Sequence, residues 1–238
     1  MGESGRSIDG SARRRPGRKP AASRDAALAL AKQRYLKGER VDVQAIAREL
    51  GLGRVTMHRW FQTRERLLGE AIGEISEERL LRIRSQTRRR GPAGLLAVFD
   101  RFNKDIAATD GLRILLEQDN ERALRMLTSG AGLVQPRIVA TVQRLIDEEV
   151  AAGRFEPVID AGFLAYGIVR LGEAFLYNDT IIGVRGDTGN LREIEAVLLG
   201  LRPGAGAGSG SGAGSGADSS SGARKHAPRL SRGARSRL

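Results

Sequence analysis

Residues 42–64 read DVQAIARELGLGRVTMHRWFQTR, and this stretch decides the fold of the N-terminal part of the chain. Four apolar residues recur at helical spacing and predict a first amphipathic helix, namely Val43, Ile46, Ala47 and Leu50. Gly51-Leu52-Gly53 predicts a turn, since Gly51 can adopt the left-handed conformation that ends helices. A second helix from Arg54 to Phe61 completes a helix-turn-helix, whose second helix enters the DNA major groove. By periodicity alone, an ordinary helical hairpin is an almost equally good interpretation.

The charge of the chain is distributed unevenly. Of the formal net charge of +12, residues 1–22 carry +4, residues 23–90 carry +7, residues 91–201 carry −5 and residues 202–238 carry +6. Proteins that bind nucleic acid do so largely by neutralising phosphates. A basic head on an acidic body therefore favours a DNA-binding helix-turn-helix, although each charged run could also be a solvated surface.

The composition argues against several classes of function. The chain has no cysteine and only two histidines, His58 and His226, so we expect no disulfide, no thiol chemistry and no metal site. It offers no Ser/His/Asp or Cys/His set, and its Gly-x-Gly at 51–53 follows no strand, so we predict no catalytic residue and no cofactor. Without a run of ~20 apolar residues or a signal-peptide pattern, we expect no membrane contact.

Both ends of the chain are predicted to be disordered and basic. Residues 1–22 are rich in Gly, Ser, Arg and Pro. Within them, RRRPGRKP at 13–20 resembles an AT-hook, whose arginines enter the minor groove of A·T-rich DNA. Arg18 is the candidate contact there, and a nonspecific basic tail is the alternative. Residues 202–238 are a Gly/Ser linker followed by a basic tail that serves nonspecific DNA affinity or solubility.

The remaining sequence predicts an all-α fold of about nine helices. Ser23 is a predicted N-cap for the first helix, and Thr63 for a long fourth helix that runs toward Arg84. The RRRGP break at 88–92 is followed by five further predicted helices, the fifth to the ninth of the chain. The sixth helix is predicted from Leu112 to Leu127, and Asp160 is the predicted cap of the eighth.

These helices divide into two predicted domains. Residues 23–70 form a three-helix DNA-binding head, with its helix-turn-helix motif at about 42–61. Residues 71–201 form a larger helical bundle, the body.

The head resembles the TetR family of bacterial transcriptional regulators. The resemblance lies in GLGRVTMHRWF at 51–61, followed by Arg64 and the Leu67-Leu68 pair, with Met57, His58 and Arg64 in place of the family's usual leucine, tyrosine and lysine. It implies that Thr56, His58 and Arg64 contact phosphates, Arg64 at a helix start where amides also favour anions.

Two arginines of the second helix are candidates for reading bases. Arg54 and Arg59 are suited to this role because arginine can bind guanine bidentately. For Arg59 a phosphate contact is the equal alternative. Trp60 and Phe61 are interpreted as core residues of the head rather than as stacking partners for bases.

The body resembles the regulatory domain of QsdR-type members of the family, which are linked to degradation of lactone signals. The resemblance lies in DAGFLAYGIVRLGEAFLYND at 160–179. It implies a cytoplasmic, nucleoid-associated bacterial protein that binds a double-stranded DNA operator, a second copy of itself and an unknown, lactone-like inducer. Family members dimerise through their last two helices, where the apolar candidates are Phe163, Leu171, Phe175, Leu191, Ile194 and Leu198.

A ligand pocket is expected within the body. Its candidate lining combines apolar and polar residues, namely Phe99, Phe102, Asn103, Tyr166, Arg170 and Glu173. For Arg170 and Glu173, an ion pair at the dimer rim is the alternative. The predicted function is a ligand-released homodimeric repressor; the competing hypothesis is a nonspecific architectural DNA-binding protein that uses its basic tails.

Overall fold

The computed structural model describes residues 22–178 and 188–202, and these ranges contain ten α-helices and no strand. The helices are α1 Arg24–Leu36, α2 Val43–Leu50, α3 Arg54–Phe61, α4 Arg64–Gln86, α5 Gly91–Ala107, α6 Asp110–Gln118, α7 Asn120–Thr128, α8 Gln135–Ala151, α9 Ala161–Glu173 and α10 Thr188–Leu198. A π-helical turn, Ala174–Asn178, continues α9 directly. The fold class is all-α, as predicted. Arg18 and nearly all of both predicted tails lie outside the described residues.

Side-chain caps begin the helices at the positions that the sequence indicates. The hydroxyl of Ser23 accepts from Ala26 N–H at 3.1 Å, and that of Thr63 accepts from Arg66 N–H at 3.1 Å. Asp160 caps α9 through Phe163 N–H at 2.9 Å. Each bond satisfies an N–H that has no partner inside its own helix, so the three predicted helix starts are confirmed.

The prediction of one helix from Leu112 to Leu127 is wrong. The backbone of Asp119 leaves the helical region at φ −160° and ψ 82° and separates α6 from α7. Its carboxylate then accepts from Arg122 N–H at 3.2 Å and so caps α7. Aspartate competes with the helix ladder through such local bonds, which explains why ten helices form where about nine were expected.

Helix α4 joins the head to the body. It runs without a break from Arg64 to Gln86, so residue 70 lies inside a continuous helix rather than in a linker. Arg24 of α1 donates to both carboxylate oxygens of Glu70 on α4, at 2.5 and 2.7 Å, and its guanidinium lies 5.1 Å from the centre of the Phe61 ring. These contacts fix α1 and α3 against the first half of α4.

The far end of α4 is held by a buried carboxylate. Glu149 of α8 is fully buried and forms an ion pair with Arg84 of α4. It also accepts from Gly91 N–H at 2.7 Å and from Arg154 Nε at 2.6 Å. Burial opposes ionisation of Glu149, but the bonds from Arg154 and Gly91 and the charge of Arg84 outweigh it and lower the pKa of this carboxyl. The carboxylate thus joins the α4–α5 turn to α8.

Candidate DNA-binding face and ligand cavity

Helix α3 presents a basic strip to solvent and an apolar face to the head. Arg54, His58 and Arg59 are exposed, whereas Met57 and Phe61 are each only 1% exposed and belong to the core. Within the described residues, neither Arg54 nor Arg59 forms an ion pair. Both guanidinium groups are therefore available to neutralise phosphates or to contact base edges.

One apolar residue also lies on this exposed strip. The sequence pattern groups Val55 with the apolar residues of α3, but its side chain is 82% exposed. Met57 and Phe61 form the buried face of this eight-residue helix. Val55 lies two residues before Met57 and therefore on nearly the opposite side, because each residue turns the helix by about 100°. An exposed apolar side chain beside two arginines is suited to contact the methyl group of thymine in the major groove.

The junction of α3 with α4 is tight and holds the direction of α3. Gln62 adopts φ 60° and ψ −58°, and Thr63 N–H donates to the Phe61 carbonyl at 2.6 Å, which closes a three-residue turn. Such a turn is rare for a residue other than glycine. Arg64, the predicted phosphate ligand, donates from Nε to the Val41 carbonyl at 2.7 Å. It therefore ties α4 to the segment before α2, which leaves its terminal nitrogens for any phosphate.

The other predicted DNA contacts differ in exposure. The side chain of Thr56 is half-buried at the edge of the strip, whereas His58 is exposed. Trp60 is half-buried, packs against the core and meets the Phe61 ring edge-on, with ring centres 6.4 Å apart. This packing confirms the interpretation of Trp60 and Phe61 as core residues of the head.

A small, mostly apolar cavity lies inside the body. Four of the six predicted pocket residues line it, namely Phe99, Phe102, Asn103 and Glu173. Tyr166 and Arg170 do not, because α9 turns Ile168, Val169 and Gly172 toward the cavity and carries Tyr166 and Arg170 on its opposite side. Arg170 and Glu173 form an ion pair at 2.8 Å, which agrees with the alternative for these two residues; its position at a dimer rim stays a prediction.

Four polar residues of the cavity wall were not predicted from the sequence. They are Tyr35, Ser76, Tyr177 and Glu195. A signal for Glu195 is present, since it lies four residues after Leu191 and four before Leu199, on the apolar stripe of the last helix. For Tyr35, which comes from α1 in the head, no pattern in the sequence indicates contact with the body.

The two cavity carboxylates are held differently. Glu173 accepts from Gln135 Nε2 at 2.9 Å on both oxygens, in addition to its bond from Arg170. Glu195 is 1% exposed and accepts from Asn103 Nδ2 at 2.9 Å through Oε1. Its Oε2 has no hydrogen-bond partner among the described residues. Burial raises the pKa of Glu195 to about 7, the Asn103 bond opposes this rise, and the negative charge of Asp100 adds to it.

The cavity is small in this conformation. Its volume is about 40 Å³, which is room for a few water molecules. Pockets that bind drug-sized molecules measure roughly 300–1,000 Å³. A ligand of that size therefore requires the surrounding helices to move apart.

The outer face of α9 and α10 is apolar and exposed. Phe163 is 67% exposed, Tyr166 46%, Ile194 39% and Val197 56%. Of the predicted dimer residues, Phe163 and Ile194 lie on this face, and Leu171, Phe175 and Leu198 are half-buried beside it. Leu191 is instead fully buried within the subunit. Its side chain therefore has no surface for a second copy, which corrects its assignment as a dimer contact.

Comparison with known proteins agrees with this architecture. Residues 90–200 match the family model described as Tetracyclin repressor-like, C-terminal domain. No curated protein matches the sequence significantly. The solved structure of the transcriptional repressor QsdR of R. erythropolis, from the TetR family, is similar with a TM-score of 0.69 and 24% identity, over 75% of this chain and 95% of that one.

Two further solved structures share the fold. The TetR family repressor AlkX of Dietzia sp. strain DQ12-45-1b, implicated in biodegradation of n-alkanes, gives a TM-score of 0.51 at 20% identity, over 74% of this chain and 97% of that one. The fatty acid degradation regulator FadR of Bacillus halodurans gives 0.50 at 21% identity, over 75% of this chain and 98% of that one. Residues 90–200 of this chain therefore match a Tetracyclin repressor-like C-terminal domain, and the described chain shares the fold of these solved repressors.

Proposed function

We propose that this protein is a transcriptional regulator that binds an operator as a homodimer and leaves it when a small molecule occupies the cavity. The observation that carries the proposal is the exposed strip of α3, where Arg54 and Arg59 lack ion-pair partners among the described residues. Because the buried Met57 and Phe61 hold the helix from behind, this strip is free to enter a major groove.

The apolar face of α9 and α10 supports homodimerisation. Its four exposed apolar residues lie on two helices that contact each other. Monomeric proteins rarely expose large apolar patches without a partner. A two-fold interface on this face would place two copies of α3 on the two halves of a palindromic site.

The position of Tyr35 supports release by a ligand. Tyr35 belongs to α1 of the head, yet its side chain forms part of the cavity wall. A molecule that widens this small cavity acts directly on a helix that packs on α4 beside the recognition helix. The ligand then shifts the population of head positions to the extent that it prefers the widened state.

Footprinting of the full chain on the DNA that flanks its gene tests the proposal. We expect two protected half-sites whose centres are one helical turn of roughly 10 bp, or a multiple of it, apart. Arg54→Ala should abolish the footprint, whereas Arg101→Ala, which removes an exposed arginine of α5, should keep it. Protection without sequence preference would instead indicate the architectural alternative, in which removal of residues 1–22 and 202–238 abolishes most of the DNA affinity.

A further inference from the structure

The polar groups of the cavity carry an excess of negative charge. Two carboxylates line it, Glu173 and Glu195, and none of the described lining residues is Arg, Lys or His. Arg170 balances Glu173 from outside the cavity. No comparable cation contacts Glu195, since Arg192 approaches Asp100 at 3.9 Å and is bonded to Glu193 at 3.1 Å. The end of the cavity at Glu195 is therefore the acidic end.

Glu195 also has an unused acceptor. Its Oε2 is buried without a hydrogen-bond partner in the described part of the chain, and so is Oδ1 of Asp100. A buried acceptor without a donor is destabilising, and such groups in folded proteins usually have a functional explanation. A donor brought by a ligand would supply the missing bond to Glu195.

We propose that the cavity binds an apolar molecule with a protonated amine, and that the carboxylate of Glu195 binds the amine. This inference rests on the proposed role of the cavity as the ligand site. An ammonium group provides both the positive charge and the N–H donors that this end of the cavity lacks. A carboxylate or phosphate ligand would instead be desolvated beside Glu195 with no cation to stabilise it.

The rest of the wall fits an apolar body. Phe99, Phe102, Val142 and Ile168 face the same space. The π-helical turn after α9 contributes Leu176 and Tyr177 to the wall. Single π-helical turns occur often at functional sites, and we expect this part of the wall to yield when a chain of several carbons enters.

The ionisation of Glu195 agrees with this assignment. Its pKa of about 7 reflects burial first and the charge of Asp100 on α5, opposed by the Asn103 bond and by Arg192 on α10. Glu173 on α9 and the phenol of Tyr177 belong to the same cavity wall. An ammonium beside Glu195 favours its ionised form, so amine binding near pH 7 should release a proton from the protein.

Calorimetric titration of the full chain with three eight-carbon probes tests the proposal. Octylamine, octanol and octanoate share one apolar body and differ in charge and in donors. We expect octylamine to bind roughly tenfold or more tightly than octanoate. Its ammonium forms a charge-assisted bond to Glu195, whereas the octanoate carboxylate would be desolvated beside Glu195 without a cation. Titration in two buffers of different ionisation enthalpy should show the proton release.

The variant Glu195→Gln keeps the shape and removes the charge. It should weaken octylamine binding by about tenfold and change octanol binding by less than about twofold. The matched control Glu148→Gln, an exposed glutamate of α8, should change neither. Circular dichroism confirms that each variant is folded. The proposal is overturned if octylamine fails to bind, if octanoate binds equally well, or if Glu195→Gln leaves the octylamine affinity unchanged.

Two results distinguish the amine ligand from the regulatory role of the protein. Binding of octylamine at Glu195 without release of DNA would keep the ligand class and reject the release step. A sequence-specific footprint together with no octylamine binding would keep the regulator and reject the amine.

Discussion

Gly111, in the first turn of α6, lies against the carbonyl oxygen of Tyr35 in the last turn of α1. A Cβ atom at Gly111 would lie 2.0 Å from that oxygen, which is closer than any side chain can approach backbone. The body therefore touches the head through bare backbone at the same residue whose side chain lines the cavity. Movement of Tyr35 changes this contact as well as the cavity wall.

Gly111→Ala should separate α1 from α6. Because neither backbone can yield as a flexible side chain does, we expect a loss of roughly 1–3 kcal/mol in the free energy of unfolding, measured by urea titration. Gly69→Ala on α4 is the matched control, since its new Cβ meets Met126 at an ordinary 3.6 Å. Equal stability of the two variants would contradict the close approach.

Val55→Ala should weaken operator binding without changing its salt dependence. The side chain is 82% exposed, so its removal leaves protein stability nearly unchanged, while loss of a thymine-methyl contact should cost on the order of 1 kcal/mol in binding. Arg59→Ala should change the salt dependence of operator binding if Arg59 contacts phosphate. In that case the magnitude of the slope of log K against log salt falls by about one. Fluorescence anisotropy at several salt concentrations distinguishes the two.

Glu149→Gln should destabilise the protein at neutral pH. It removes the charge that Arg84 and Arg154 share, and the expected loss is about 3 kcal/mol because two basic groups lose a buried partner. The pKa of Glu149 is lowered from 4.5, so its contribution is present above the unfolded pKa and is lost as the pH falls through the folded pKa.

The acid limb of the stability curve checks this assignment. Thermal melts from pH ~7 down to ~3 should show a shallower acid decline in Glu149→Gln than in the wild type. Glu148→Gln, its exposed neighbour, should follow the wild-type curve.

Glu195→Gln should affect stability with the opposite pH dependence. In the wild type, the pKa of Glu195 is raised from 4.5 to about 7, so between these two pH values the native state retains a proton that the unfolded chain loses. The contribution of Glu195 to stability is full below pH 4.5 and is lost as the pH rises through about 7. Relative to the wild type, the free energy of unfolding of the variant should rise by up to about 3 kcal/mol between pH ~5 and ~8, measured by urea unfolding. A constant difference across this range would contradict the raised pKa.

Phe163→Lys combined with Val197→Lys should give a monomer. Both residues lie on the apolar face of α9 and α10, at 67% and 56% exposure, so the change adds charge to the proposed interface without disturbing the core. Sedimentation should report half the wild-type mass with unchanged helix content. Val55→Lys, at a residue that is 82% exposed but lies in the head, should leave the dimer intact.

The sequence by itself determined the local structure. The bounds of α2 and α3, the left-handed Gly51 at φ 68°, and the caps at Ser23, Thr63 and Asp160 all follow from neighbouring residues. Such features depend on periodicity and on bonds that span three or four residues, so reading the chain locally is sufficient. The break at Asp119 was missed because an apolar stripe continues across it.

Tertiary structure decided which side of each helix is used. Val55 and Leu191 are both apolar residues in amphipathic helices, yet one is exposed and the other fully buried. Glu195 lines the cavity beside Asn103, 92 residues away along the chain, and Tyr35 reaches the cavity from the head. These outcomes depend on how helices from distant parts of the chain pack together, because a periodic pattern defines a face but not the neighbour that covers it.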